Sequence, residues 1–261
     1  MTATTTKPTQ DALGEALAHA ALFESLALCF RYPQADAAST LAALLEEAPQ
    51  IWREALSNLS QRMNEVTETR FLQLFGSGGL CRDTESAYVN NRPMGGLLAD
   101  LSGFYVAFGF PVNVAPTSCQ QDIAGWKPAL QGGVPLDHVA TELSFISFLF
   151  AKEAHAHFLG NAEAVEICQQ GRALFLREHL GTWIGSFAST VAERAPDTFH
   201  AQAAVLCAEA VREMVNGQWS MVNDLPIINH QPSTIDADAL RPTASCFSCP
   251  AACGPDEEEW A

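Results

Sequence analysis

Basic residues are scarce in this chain: 14 lysines and arginines stand against 30 aspartates and glutamates, for a net charge of −16. Such a surface repels a phosphate backbone or an anionic bilayer and attracts basic peptides, so nucleic acid is excluded as a partner. Much of the acidity also serves to keep an apolar protein in solution. Long hydrophobic runs are missing too. The longest, 145–151, contains Ser147 and falls far short of the roughly 20 residues a bilayer span needs, so no stable membrane insertion is expected. The first ten residues lack the basic start and apolar run of a secretory signal, which points to a cytoplasmic protein. Catalytic signatures are equally absent: there is no G-x-x-x-x-G-K-[ST], no G-x-G-x-x-G after a strand, no H-E-x-x-H and no G-x-S-x-G. Gly76-Ser77-Gly78-Gly79 comes nearest to a phosphate cradle, but it follows a helical pattern and has no lysine. Catalytic residues are therefore assigned to none of these positions.

Alternating Val, Ile and Thr of strand type is also rare, whereas alanine and leucine recur at helical spacing. The fold class expected is all-α, a single-domain helical bundle with an extended C-terminal tail. Helical stretches are predicted at 11–31, 40–47, 51–59, 61–75, 94–110, 137–159, 162–181, 183–194 and 196–216, with a glycine-rich loop at 76–93 and a polar connection at 112–134. Tyr32-Pro33 stops the first helix, because proline restricts the residue before it. Residues 1–10 read as a flexible N-terminus, 11–216 as the helical domain and 217–261 as a tail. That tail has five prolines and seven acids against one arginine, without sustained periodicity. No fixed repeat period occurs, so a solenoid is not supported.

Two clusters carry candidate chemistry. In Pro135-Leu136-Asp137-His138-Val139-Ala140-Thr141-Glu142 an acid and an imidazole stand at the mouth of an apolar helix. Pro135 favours a helix start, and Asp137 can accept hydrogen bonds from free amides of the first turn. His138 and Glu142, four residues apart, share a face that continues through Phe145 and Leu149. A polar pair capping an apolar stripe suits peptide binding. The plainer alternative makes Asp137 an N-cap, His138 a surface histidine and Glu142 the group that orients it.

The second cluster is Cys246, Cys249 and Cys253, a C-x2-C-x3-C spacing that could hold zinc or an iron–sulfur cluster, although a fourth ligand is missing. A flexible thiol-rich tail with no cofactor is the alternative. The other five cysteines are scattered and read as reduced core residues. His155 and His157, two apart, diverge on a helix and form no paired metal site.

Three elements in order resemble the TorD/DmsD/NarJ family of molybdoenzyme-specific chaperones. They are Phe71-Leu-Gln-Leu74-Phe75-Gly76; Glu85-Ser86-Ala87-Tyr88 followed by Asp100 and Phe104-Tyr105-Val-Ala-Phe108-Gly109-Phe110; and the Pro135–Asp137–His138–Glu142 segment. The likeness covers about residues 15–216. It implies an all-helical chaperone with no turnover, which binds the N-terminal leader of a molybdopterin-containing catalytic subunit. That subunit would be held for cofactor insertion and, where applicable, twin-arginine export. Carried across by position, Leu74, Phe75, Ser86, Tyr88, Asp137 and His138 match positions associated with leader binding, and Glu142 joins them on geometric grounds. For Leu74 and Phe75 the alternative is pure core packing. The pattern looks closest to chaperones of the DMSO reductase family's type II enzymes, acting as a monomer or a helix-swapped dimer. The three-cysteine tail departs from the shared pattern, and it motivates the rival reading of an iron–sulfur or zinc redox protein.

Asp137 and Glu142 are thus expected on an acidic rim facing the arginines of a leader, with Phe71, Phe75 and Tyr88 as the apolar wall of one groove.

Overall fold

A computed structural model of the chain describes residues 10–90, 92–111 and 134–222, with side chains through residue 217. Among these residues all regular structure is helical: α1 (Gln10–Leu28), α2 (Ala37–Glu47), α3 (Gln50–Arg62), α4 (Glu68–Phe75), α5 (Met94–Phe108), α6 (Val139–Leu159), α7 (Ala162–Glu178), α8 (Leu180–Arg194) and α9 (Phe199–Val222). Short 3-10 turns occupy Met63–Glu65 and Glu85–Ala87. Helix α6 is the spine, buried on every side from Val139 through Ala154. Its most extensive neighbour is α1, itself buried throughout from Ala20 to Leu28. Small side chains let the two helices approach, and the Ser147 hydroxyl donates to the Ala20 carbonyl at 2.8 Å. The buried Glu24 of α1 is paired by Arg31, which donates to Glu24 at 2.6 Å and to Ser144 of α6 at 2.7 Å.

Local chemistry ends the helices where the chain demands it. Gly109 and Gly160 adopt left-handed φ values of 68° and 67° at the ends of α5 and α6, a conformation glycine enters without a Cβ penalty. Asn161 caps α7 by accepting the Ala164 amide at 3.0 Å.

Two breaks interrupt stretches whose apolar spacing predicts continuity. The 61–75 stretch divides because Val66 is extended and Thr67 caps α4, accepting the Arg70 amide at 3.3 Å. The 162–181 stretch divides at His179, whose φ and ψ of −125° and −101° are not helical. Helix α9 continues to Val222, beyond the 216 at which the periodicity fades. No helix among the described residues is long and apolar enough to cross a membrane.

Candidate functional site: a turn strapped to the start of helix α6

The chain from Asp83 to Val89 crosses the N-terminal end of α6 and is tied to it by main-chain bonds. Thr84 and His138 form an isolated antiparallel bridge. Around it the Glu85 amide donates to the Asp137 carbonyl and the Val139 amide to the Asp83 carbonyl, each at 2.8 Å. Side chains add to the strap. The Ser86 amide donates to Asp137 Oδ2 at 3.3 Å, and His138 Nε2 lies 3.1 Å from Asp83 Oδ2.

The cap of α6 differs from the expected one. His138, not Asp137, is the N-cap: its Nδ1 accepts the Ala140 amide at 3.1 Å. An Nδ1 that accepts places the ring hydrogen on Nε2, which then donates to Asp83. Asp137, one residue earlier and only 5% exposed, turns its carboxylate to the strap instead, so it does not stand on the expected acidic rim. His138 is therefore oriented by Asp83 and not by Glu142.

Glu142 also departs from expectation. It is wholly buried, with Oε2 accepting the Trp183 indole N–H at 3.1 Å, so it does not stand on an exposed acidic rim. Burial, and after it the charge of Glu85, hold its carboxyl well above the usual carboxylate range. Glu85 is itself fully buried, its oxygens 3.1 and 3.3 Å from His179 Nδ1. The break between α7 and α8 is thus the point at which His179 meets the strap.

An aromatic series joins this region to α4. Tyr88 is half-buried, stacks on Trp183 at 5.6 Å and meets Phe187 edge-on at 6.1 Å. Phe187 lies 6.2 Å from Phe75, which lies 5.3 Å from Phe71, and Tyr32 packs on Phe71 at 5.7 Å. Phe71, Leu74 and Phe75 are core residues, so Leu74 and Phe75 pack inward and the expected wall of Phe71 and Phe75 is not on the surface. Behind them His200 is buried among rings, and that burial pushes its imidazole down to about 4. What remains accessible is Tyr88, Ser86 and the exposed Leu72, Leu80 and Tyr32.

Of the residues predicted for the site, Ser86, Tyr88, Asp137 and His138 converge on the strap, Glu142 lies beneath it, Phe75 reaches it through Phe187, and Leu74 is a core residue whose carbonyl accepts the Cys81 amide. Sequence reasoning missed Asp83, Glu85, His179 and Trp183. Glu85 was within reach, being the neighbour of Ser86 in the same glycine-rich loop; His179 and Trp183 carry no local signal.

Cys246, Cys249 and Cys253 lie outside the described residues. Among those described, no group of three or more His, Cys, Asp or Glu side chains is placed to hold a metal ion. Cys29, Cys81, Cys168 and Cys207 are buried thiols. Burial pushes Cys29 up to about 12 and Cys168 to about 11, so neither is a ready nucleophile.

The sequence model of the family described as nitrate reductase delta subunit matches residues 38–189. The match runs from α2 into α8, enclosing the strap with Glu142, His179 and Trp183 while leaving α1 and α9 outside. No curated protein and no solved structure matches the chain. With more than half of its length matched, the chain belongs to the nitrate reductase delta subunit family, the NarJ/TorD-type chaperones of molybdoenzyme maturation.

Proposed function

We propose that this chaperone works in the cytoplasm by binding the N-terminal leader of a molybdopterin-containing catalytic subunit. It holds the subunit for cofactor insertion and, where the client is exported, until twin-arginine transport. The observation that supports this reading is convergence: segments far apart in sequence, around Ser86 and Tyr88 and around Asp137 and His138, are bonded into one surface. A leader joins arginines to an apolar stretch, and this surface offers both complements. Asp83, bonded to His138, supplies a partly exposed carboxylate with the buried Asp137 behind it, Tyr88 with Leu80 and Leu72 supplies apolar area, and the net charge of −16 draws a basic peptide toward the chain. Leu74, Phe75 and Glu142 serve from below, by holding the surface in shape.

An arginine paired with a partly buried carboxylate is worth on the order of 1.5–3 kcal/mol, so Asp83→Ala weakens leader binding about tenfold or more. Isothermal calorimetry with a synthetic leader peptide measures this directly. A folded Asp83→Ala variant of unchanged affinity removes that carboxylate from the mechanism.

A further inference from the structure

Beneath the strap, Glu142 presents an imbalance of hydrogen-bond donors. Its Oε2 has the Trp183 indole, but Oε1 is sealed from solvent with no donor facing it among the described residues. The neighbour within hydrogen-bonding reach is the Glu85 carboxylate, whose two oxygens already face the one His179 N–H. Two ionised carboxylates in contact inside a protein are strongly unfavourable, because neither water nor a cation screens them.

Among the described residues, no lysine or arginine acts on Glu142 from the elements around it. Glu85 faces it from the turn, Asp137 from the approach to α6, Tyr105 from α5 and Cys207 from α9. His179, at the start of α8, faces Glu85. The guanidinium of Arg31 is turned to Glu24 and Ser144.

We propose that Glu142 is a neutral carboxylic acid in the folded chain, that its Oε1 hydroxyl donates to Glu85, and that this single proton fastens the 83–89 turn to α6 and α8. An oxygen without a donor becomes a donor itself. The series then runs from the Trp183 N–H to Glu142, from Glu142 to Glu85, and from His179 to Glu85 from the other side, joining the turn, α6 and α8. Release of the proton to solvent leaves two carboxylates face to face. The relief available is for the turn to lift, taking Ser86 and Tyr88 with it. Glu142 is on this account a positioning residue, and its consequence for leader affinity rests on the function proposed above.

The sign of the pH dependence follows. Because the folded chain holds Glu142 above the range it has when unfolded, the stability it lends is complete below the ordinary glutamate range. That stability is lost as pH rises toward the folded value, opposite to the usual ion-paired carboxylate. Glu142→Gln keeps an N–H aimed at Glu85 and a carbonyl for Trp183, and cannot ionise.

Thermal melts of the full chain from about pH 5 to about pH 8 test this. Wild type is expected to lose melting temperature relative to Glu142→Gln as pH rises, while Glu142→Ala, lacking both bonds, lies below Glu142→Gln throughout. Hydrogen exchange at the Glu85 and Val139 amides is expected to be at least about tenfold slower in Glu142→Gln than in wild type at the alkaline end. Carbon-13 spectra of glutamate-labelled wild type should contain one carboxyl still protonated at neutral pH, missing from Glu142→Gln. Parallel melting curves for wild type and Glu142→Gln, or spectra in which every glutamate carboxyl is ionised at neutral pH, overturn the proposal. The spectra decide alone if Glu142→Gln does not fold. No peptide enters these measurements, so failure of leader binding and failure of the shared proton are told apart.

Discussion

The two halves of helix α6 bury an acid in opposite ways. Near the C-terminal end, Glu153 is closed by charge: Arg172 donates to Oε2, Gln169 to Oε1 at 2.6 Å, and the Arg172 guanidinium lies 3.8 Å above the Phe150 ring. Lys152 beside it reaches the Phe108 carbonyl at 2.7 Å. Toward the N-terminal end, Glu142 meets an indole, an imidazole-bound carboxylate and, among the described residues, no cation. One acid is neutralised by a permanent partner, the other by a proton that pH can remove. A permanent partner suits a brace; a removable one suits the end of the helix that carries the strap.

The contrast is broken most severely at Arg172. Arg172→Ala leaves Glu153 ionised and buried without its partner, for an expected loss of about 3–5 kcal/mol in denaturant melts. A loss no greater than that of a typical surface substitution shows that the pair is not a brace. At the other end Trp183→Phe keeps most of the ring packing on Tyr88 but takes the indole donor from Glu142 Oε2. About 1–3 kcal/mol should be lost, measured in the same way. Its pH dependence should also steepen, since the ionised acid is left with fewer donors. The smallest effect is expected at Ser86, which joins the strap through its main-chain amide while its hydroxyl makes only a long contact with Thr84 at 3.5 Å. Ser86→Ala should hold stability within about 0.5 kcal/mol. Any drop in leader affinity in that variant then belongs to the ligand and not to the fold.

Much of the bundle is legible from spacing and punctuation: Pro93 and Gly109 frame α5, Gly160 and Asn161 separate α6 from α7, and the acid and imidazole before Val139 announce a special helix start. The breaks at Val66 and His179 are hidden because apolar positions continue at helical spacing across them. A Thr67 cap is a weak signal inside such a pattern, and His179 leaves helical geometry at a site whose partner, Glu85, lies 94 residues away. The spacing points Glu142 to a rim, and the structure buries it, for a related reason. A first-turn glutamate is ordinarily exposed and at ease beside the helix dipole, and what makes this one internal is Trp183, 41 residues further on. Local rules located the cluster, whereas the depth of each member depends on tertiary neighbours that periodicity does not encode.

The Tyr105 hydroxyl donates to the Leu136 carbonyl at 2.8 Å, and Phe110 packs against both Tyr105 and Phe145. The end of α5 and the approach to α6 are thereby clasped directly, across 31 positions of sequence. The aim of Asp137 and His138 is thus set in part from α5, and loss of the Tyr105 hydroxyl would be felt at the far side of the helix start it steadies.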